Sequence, residues 1–393
     1  MENKERSAGW ETFKIWFGIG ALMFGTYCGA NMASGVYATT YITTLGGGWM
    51  WVFLGIFILF MSVCCILSLN VIRCYKVDNY NSYYLTLYGL QKPESNKTLK
   101  AFVTVFFDVY TLLMGVVTTA ATIALFASLM KTLLNVPILI GSLIAVVMFA
   151  VLTVYGAGFL RKFNGVMTIF LAICLTIILV AVISVRGGEL SRRICDFTVQ
   201  ESWTGTTLSA HMGMFLSYCC ISTSWGGTLS NYSDRIHTKK DAVGSGILIG
   251  LMVASLFLMT SLIVLPFLPD VFTSTPILDI CRGYFPGILT LIYWIVVIFS
   301  VVSTGPTFIF NVSNRFSKVW KTEKISQKMK FFILGMGFLI LCLLISGVGL
   351  IAICQKGYTL LGKIAIPTIG IPLIISVFRV AKKDKEAVEE KAK

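Results

Sequence analysis

Residues 25–41 read Gly25-Thr26-Tyr27-Cys28-Gly29-Ala30-Asn31-Met32-Ala33-Ser34-Gly35-Val36-Tyr37-Ala38-Thr39-Thr40-Tyr41. They stand inside a run, 15–72, with no Asp, Glu, Lys or Arg, far longer than the ~20 apolar residues that cross a bilayer. Glycines and two polar side chains, Asn31 and Ser34, therefore lie at hydrocarbon depth. Glycine lowers helix propensity by about 1 kcal/mol per site, and backbone groups freed in lipid must find partners in protein, water or solute. Close packing of small residues is one use of such a stretch. Asn31 and Ser34, followed by Thr39, Thr40, Thr43 and Thr44, fit better an unwound segment that lines a polar cavity.

Working outward, further charge-free runs cover 163–185, 242–268, 283–314 and 331–355. The 393 residues are 56% hydrophobic and 13% charged, with a mean hydropathy of +0.83, against roughly 25% charged in soluble domains. A water-soluble globular protein is excluded, and an all-α integral membrane protein is predicted. Turn signals and charges divide the chain into ten spans: 15–45, 48–72, 101–130, 137–156, 163–185, 206–233, 242–268, 286–314, 331–352 and 357–378. The net charge of +14 would suggest nucleic acid in a soluble chain, but here it sorts by loop. With the N-terminus inside, 25 Lys and Arg fall on the inner side and 6 on the outer, which predicts a multi-pass protein of the plasma (inner) membrane with both termini cytoplasmic. Residues 1–14 form a cytoplasmic tail with no cleavable leader pattern, and 379–393 a basic one. Eleven scattered cysteines and two histidines show no metal-ligand spacing; Cys195, Cys281 and Cys354 fall in outer segments, where a disulfide is an option.

The sixth span repeats the theme of the first. Ser217 to Ser233 places Gly226 and Gly227 amid Ser222, Thr223 and Ser224. Five helices separate the two interruptions, so 15–185 and 206–378 read as two five-helix repeats, the second inverted in the membrane. Paired broken helices at matching positions mark the binding site of a secondary transporter near the midplane. In the eighth span Pro306 cannot donate to the Val302 carbonyl and should kink the helix beside Ser303 and Thr304. These hydroxyls and nearby carbonyls suit a sodium ion; the rival use is bonding back to the preceding turn. Asp108, in the third span, and Lys363, in the tenth, are ionisable groups at membrane depth, where charge is costly and marks function. Asp108 suits a substrate amine, a proton relay, a gate or a structural pair. Lys363 suits a gate or outward snorkelling. Trp225, Tyr218, Tyr110 and Phe308 are candidate pocket walls, or packing residues.

Gly29-Ala30-Asn31-Met32-Ala33-Ser34-Gly35 resembles the G-A-G-F-A-S-G signature of the YkvI family. The ten-span pattern with spans one and six broken resembles the LeuT fold of the amino acid, polyamine and organocation superfamily. The resemblance implies that 29–34 and 222–227 are unwound and face substrate. It also implies a sodium site built from a helix-eight carbonyl and hydroxyls three and four residues on, a spacing matched by Ser300, Ser303 and Thr304. The chain departs from the signature at Asn31 and Met32 and carries Val36-Tyr37 where Gln-Glu is common. Proton-coupled relatives use a lysine on helix five; Lys162 lies at the inner start of that span, which favours sodium.

The function expected is a symporter that imports a small nitrogenous solute, an amino acid or related zwitterion or amine, by alternating access. The substrate-binding set is Gly29, Ala30, Asn31, Ser34, Tyr110, Ser222, Ser224 and Trp225, with amides near Gly29 holding a carboxylate. No cofactor is expected beyond a sodium ion, and the partners are the solute, sodium or protons, and lipid. With no histidine-based triad and no acid pair in the spans, an enzyme is not expected. The rival readings are a proton-coupled or uncoupled exchanger of organic cations, and a non-transporting sensor or channel.

Overall fold

The computed structural model describes residues 2–92, 94–153, 156–320 and 325–392, and among them the regular structure is entirely helical. Seven helical stretches are long and apolar enough to cross a membrane by length and composition: Gly47–Tyr75, Lys97–Leu134, Ile169–Ile194, Lys239–Phe267, Gly287–Pro306, Met329–Ser346 and Leu350–Glu386. A shorter apolar helix covers Ile138–Leu152. The chain is an all-α membrane protein. The first and sixth predicted spans are missing from the long set because each is interrupted.

Helix α1 (Glu2–Tyr27) stops before Gly29, whose backbone is extended (φ −87°, ψ 179°), and the chain resumes as the four-residue α2 (Ala30–Ala33). Gly35 then takes φ +84°, a left-handed conformation that glycine alone enters cheaply. Three of the carbonyls here are satisfied by protein. Tyr293 Oη donates to Ala33 O at 2.7 Å, Ile277 N to Ser34 O at 3.2 Å and Ser34 Oγ to Asn31 O at 2.8 Å. A wide π-type turn follows at Ala38–Ile42, and the Thr43 and Thr44 hydroxyls donate into its carbonyls.

The long helices are α3 (Gly47–Tyr75), α5 (Lys97–Leu134), α6 (Ile138–Thr153), α7 (Gly156–Ile194), α10 (Lys239–Val264), α12 (Gly287–Val319) and α13 (Gln327–Ser346), with a short α4 (Tyr80–Leu87) between α3 and α5. The sixth predicted span is α8 (Leu208–Cys220), a tightened 3₁₀ stretch Ile221–Trp225, α9 (Gly226–Leu229) and a second 3₁₀ stretch Ser230–Arg235. Sequence reasoning expects this segment to unwind, but it narrows instead. Hydroxyls reach three residues back, Thr223 to Cys220 O and Ser230 to Gly227 O, and stabilise the tighter turn. After α11 (Pro276–Tyr284), α12 and α13, the ninth predicted span ends in α14 (Leu350–Ala352); a π-type turn Ile353–Tyr358 leads to the tenth, which is α15 (Thr359–Ala365), a π-type turn Ile366–Gly370 and α16 (Ile371–Ala392).

The helices pack as two groups, α1 with α3 and α10, and α5 with α6, α7, α12 and α13. Small residues set the closest approaches, as expected where lipid supplies no hydrophobic drive between helices. A Cβ on Gly250 would meet Ser62 Oγ at 2.1 Å, and one on Gly246 the Ile66 side chain at 2.4 Å. Trp49 and Trp51 donate to Phe197 O and Ile194 O and tie the start of α3 to the end of α7.

The middle turns of α16 grip α3 and α4. Asp384 accepts two bonds from Arg73 at 2.7 and 2.9 Å, Arg379 donates to Thr86 O and Leu87 O, and Lys383 lies 4.1 Å over the Tyr75 ring. All eleven cysteines are free, with Cys281 and Cys354 buried.

Candidate functional site

The interrupted helices enclose a cavity of about 430 Å³ between the two packed groups. Its floor is the α1–α2 break, with Tyr27, Gly29, Ala30, Asn31 and Met32. The sixth-span segment supplies Ser224, Trp225, Gly227, Thr228 and Asn231, α5 supplies Asp108 and Tyr110, α12 supplies Thr304 and Phe308, and α4 supplies Tyr80 and Tyr84. Thr111 and Asn231 are exposed, so the cavity reaches the surface on the side that carries α4.

The other side is sealed by aromatic packing. Tyr41 stacks on Tyr218 at 3.9 Å between centroids, donates its hydroxyl to Cys354 O at 2.6 Å, and receives the His211 ring at its own carbonyl. Phe257 lies between Phe57 and Tyr37 and extends the stack.

Of the eight predicted substrate residues, six line the cavity: Gly29, Ala30, Asn31, Tyr110, Ser224 and Trp225. Tyr110 Oη and Ser224 Oγ share a hydrogen bond of 2.9 Å, and Trp225 Nε1 donates to Tyr27 Oη at 2.7 Å. Asn31 is 4% exposed; its amide nitrogen reaches Tyr37 Oη at 3.5 Å, and its Oδ1 makes no well-formed hydrogen bond. Ser34 and Ser222 are buried away from the cavity. Ser34 instead braces the break by accepting from Val36 N and donating to Asn31 O. Both depart from expectation because a helical residue turns about 100° from its neighbour, so polarity alone does not fix the face.

Asp108 lines the cavity and is half-buried, whereas Lys363 is exposed and lies outside the lining. Of the predicted sodium set, Ser300 is buried and its carbonyl accepts from Thr304 Oγ1 at 2.9 Å. Thr304 also faces the helix break: a Cβ on Gly29 would stand 3.2 Å from Thr304 Oγ1. The donated proton leaves the hydroxyl lone pairs available to a cation. The side chains of Ser303 and Lys162 lie outside the described residues. Among the described residues no group of three His, Cys, Asp or Glu is placed to hold a metal ion.

Tyrosines are what sequence reasoning underweighted. Beside Tyr110 and Tyr218, which the sequence offers as candidate walls, Tyr27, Tyr37, Tyr80, Tyr84 and Tyr358 line the cavity. The signal for α4 was present in Tyr80, Tyr83 and Tyr84 behind the Asn79 cap, whose side chain accepts from Ser82 N at 2.9 Å.

No family model matches the chain, and no curated protein does. Solved structures do. A single-residue variant of the manganese transporter of Eremococcus coleocola superposes with a TM-score of 0.57 at 14% identity, covering 93% of this chain and 79% of that one. The same transporter bound to an aromatic bis-isothiourea compound gives 0.55 at 14% identity over the same shares. A Na+-coupled sialic acid symporter, in a substrate-bound outward-open state, gives 0.48 at 13% identity, covering 91% of this chain and 85% of that one. At such identities the likeness is one of fold: this chain is similar in architecture to membrane transporters across more than nine-tenths of its length.

Proposed function

We propose that the chain is a secondary-active symporter of the LeuT fold, ten spans in two inverted sets of five, that carries a small nitrogenous solute by alternating access with sodium. An amino acid, a related zwitterion or an amine fits this class. The observation that carries the reading is the cavity built where the break of the first span meets the interrupted sixth, with α4, α5 and α12 among its other walls. A site shared between broken helices is the arrangement typical of transporters that work by alternating access. Thr304 against Gly29 supports the sodium assignment. With both termini cytoplasmic, the side bearing α4 is the inner one, and the tyrosine stack is a closed outer gate.

Manganese, the solute of the Eremococcus transporter, is a second candidate. A divalent ion needs several oxygen, nitrogen or sulfur ligands at once, and Asp108 is the lone carboxylate among the described lining residues. The nitrogenous solute is favoured.

The test is uptake into proteoliposomes with and without an inward sodium gradient. Sodium-driven accumulation is expected in the native protein and its loss in Ser303→Ala/Thr304→Ala. Unchanged sodium dependence in that double variant sinks the ion assignment. Uptake indifferent to sodium in the native protein leaves an uncoupled exchanger.

A further inference from the structure

Tyr37, Tyr218 and Tyr358 meet at one corner of the cavity. Their ring centres lie 5.8, 6.0 and 6.2 Å apart, and their planes cross at 89°, 62° and 89°. The Tyr358 ring stands perpendicular to the other two, which cross at 62°, and the three form a box corner. Tyr27 and Trp225 wall the cavity nearby, 5.1 Å between centroids.

Many of the polar tips along this wall are already engaged. Trp225 Nε1 is spent on Tyr27, Tyr110 is paired with Ser224, Tyr84 donates to Ser224 O and Tyr358 to Thr118. A solute therefore meets ring faces and oxygen lone pairs more than free N–H or O–H donors. Among the described lining residues the single formal charge is the carboxylate of Asp108, and none is Lys, Arg or His.

We infer that the solute is a small organic cation, an alkylated ammonium, and not a zwitterion. Ring faces carry negative quadrupole density and attract a cation, most strongly where water is excluded. A carboxylate would confront the same faces without a cationic partner among the described residues, and leaving a buried charge unpaired is costly. The amide end at Gly29 compensates little, because α2 has only four residues and the helix dipole is the sum of aligned peptides. The inference rests on the cavity being the solute site and narrows its chemistry.

The full chain in detergent is titrated calorimetrically with choline, with its neutral carbon isostere 3,3-dimethylbutan-1-ol, and with its zwitterionic counterpart trimethylglycine. Choline is expected to bind about ten-fold more tightly than either, and Tyr358→Leu to weaken choline by about ten-fold while Tyr358→Phe, which keeps the ring, stays within about three-fold. The inference is overturned by equal or tighter binding of the alcohol or of trimethylglycine. Choline affinity unchanged in Tyr358→Leu also overturns it, as does absence of binding by choline, tetramethylammonium and ethylammonium alike. Tyr37→Leu serves if Tyr358→Leu does not fold, and the ligand series on the native protein decides without any variant. Counterflow of labelled choline in proteoliposomes separates the two readings. Selective binding without exchange upholds the cation site and removes transport; accumulation of trimethylglycine that choline does not inhibit removes the cation and upholds transport.

Discussion

Two glycines show how one missing methyl serves different ends. Gly362 on α15 packs so closely on α8 that a Cβ would stand 1.6 Å from the backbone oxygen of Ser217. Backbone cannot step aside cheaply, so Gly362→Ala forces the helices apart. A loss of roughly 1–3 kcal/mol or more is expected, the cost of overpacking, seen as a lower thermal midpoint. Gly29 has looser surroundings, 3.2 Å to Thr304 Oγ1 and 3.6 Å to its methyl. Gly29→Ala fills the space between the helix break and Thr304 and leaves the packed groups undisturbed. Its expected signature is near-native melting with sodium-dependent uptake lost; a variant that keeps uptake would show that this gap has no part in coupling.

Among the elements, α4 and the end of α16 form a coupled pair. Tyr80 and Tyr84 of α4 wall the cavity, and Tyr83 Oη bonds Ser68 of α3 at 2.8 Å. Arg379 holds the last carbonyls of α4, while Asp384 holds Arg73 at the end of α3. Helix α16 thus braces the α4 wall of the cavity. The Asp384 and Arg73 side chains are 34% and 15% exposed, so the pair contributes on the order of 1 kcal/mol, diminished by salt. Asp384→Ala should quicken amide exchange across 80–87 at low ionic strength, with little difference from native protein in 1 M salt. Exchange unaltered at low salt would mean that α4 is held by its tyrosines alone.

Across the whole molecule, what the sequence disclosed followed from the cost of polar groups in lipid. Gly29, Asn31 and the Ser222–Gly227 stretch stood out because hydrocarbon penalises them, and the structure places both interruptions at the cavity. Helix ends were less legible. The 101–130 and 163–185 spans extend to Lys97–Leu134 and Gly156–Ile194, since helices continue past the bilayer wherever caps and neighbours support them. Which face a residue takes was not legible at all. Ser34 and Ser222 are as polar as Ser224 but turn away, and Tyr358, 140 residues along the sequence from Tyr218, becomes its neighbour only through packing of the tenth span on the sixth. The narrowing of the sixth span, against the opening of the first, likewise arises from where the Thr223 and Ser230 hydroxyls find carbonyls.

The π-type turns at Ala38–Ile42, Ile353–Tyr358 and Ile366–Gly370 bear on how the chain tolerates changes of length. Such a turn closes its hydrogen bonds over one residue more than an α-turn. Removing one residue there restores ordinary winding and keeps both flanks in phase, whereas removing one from a regular helix such as α3 rotates everything beyond it by about 100°. A single-residue deletion scan should therefore find folded protein when Thr40 or Gln355 is lost and none when Phe57 or Met61 is lost, read out by fluorescence-detected chromatography. These three turns are the chain's spare links, where length has slack without the helices losing their phase.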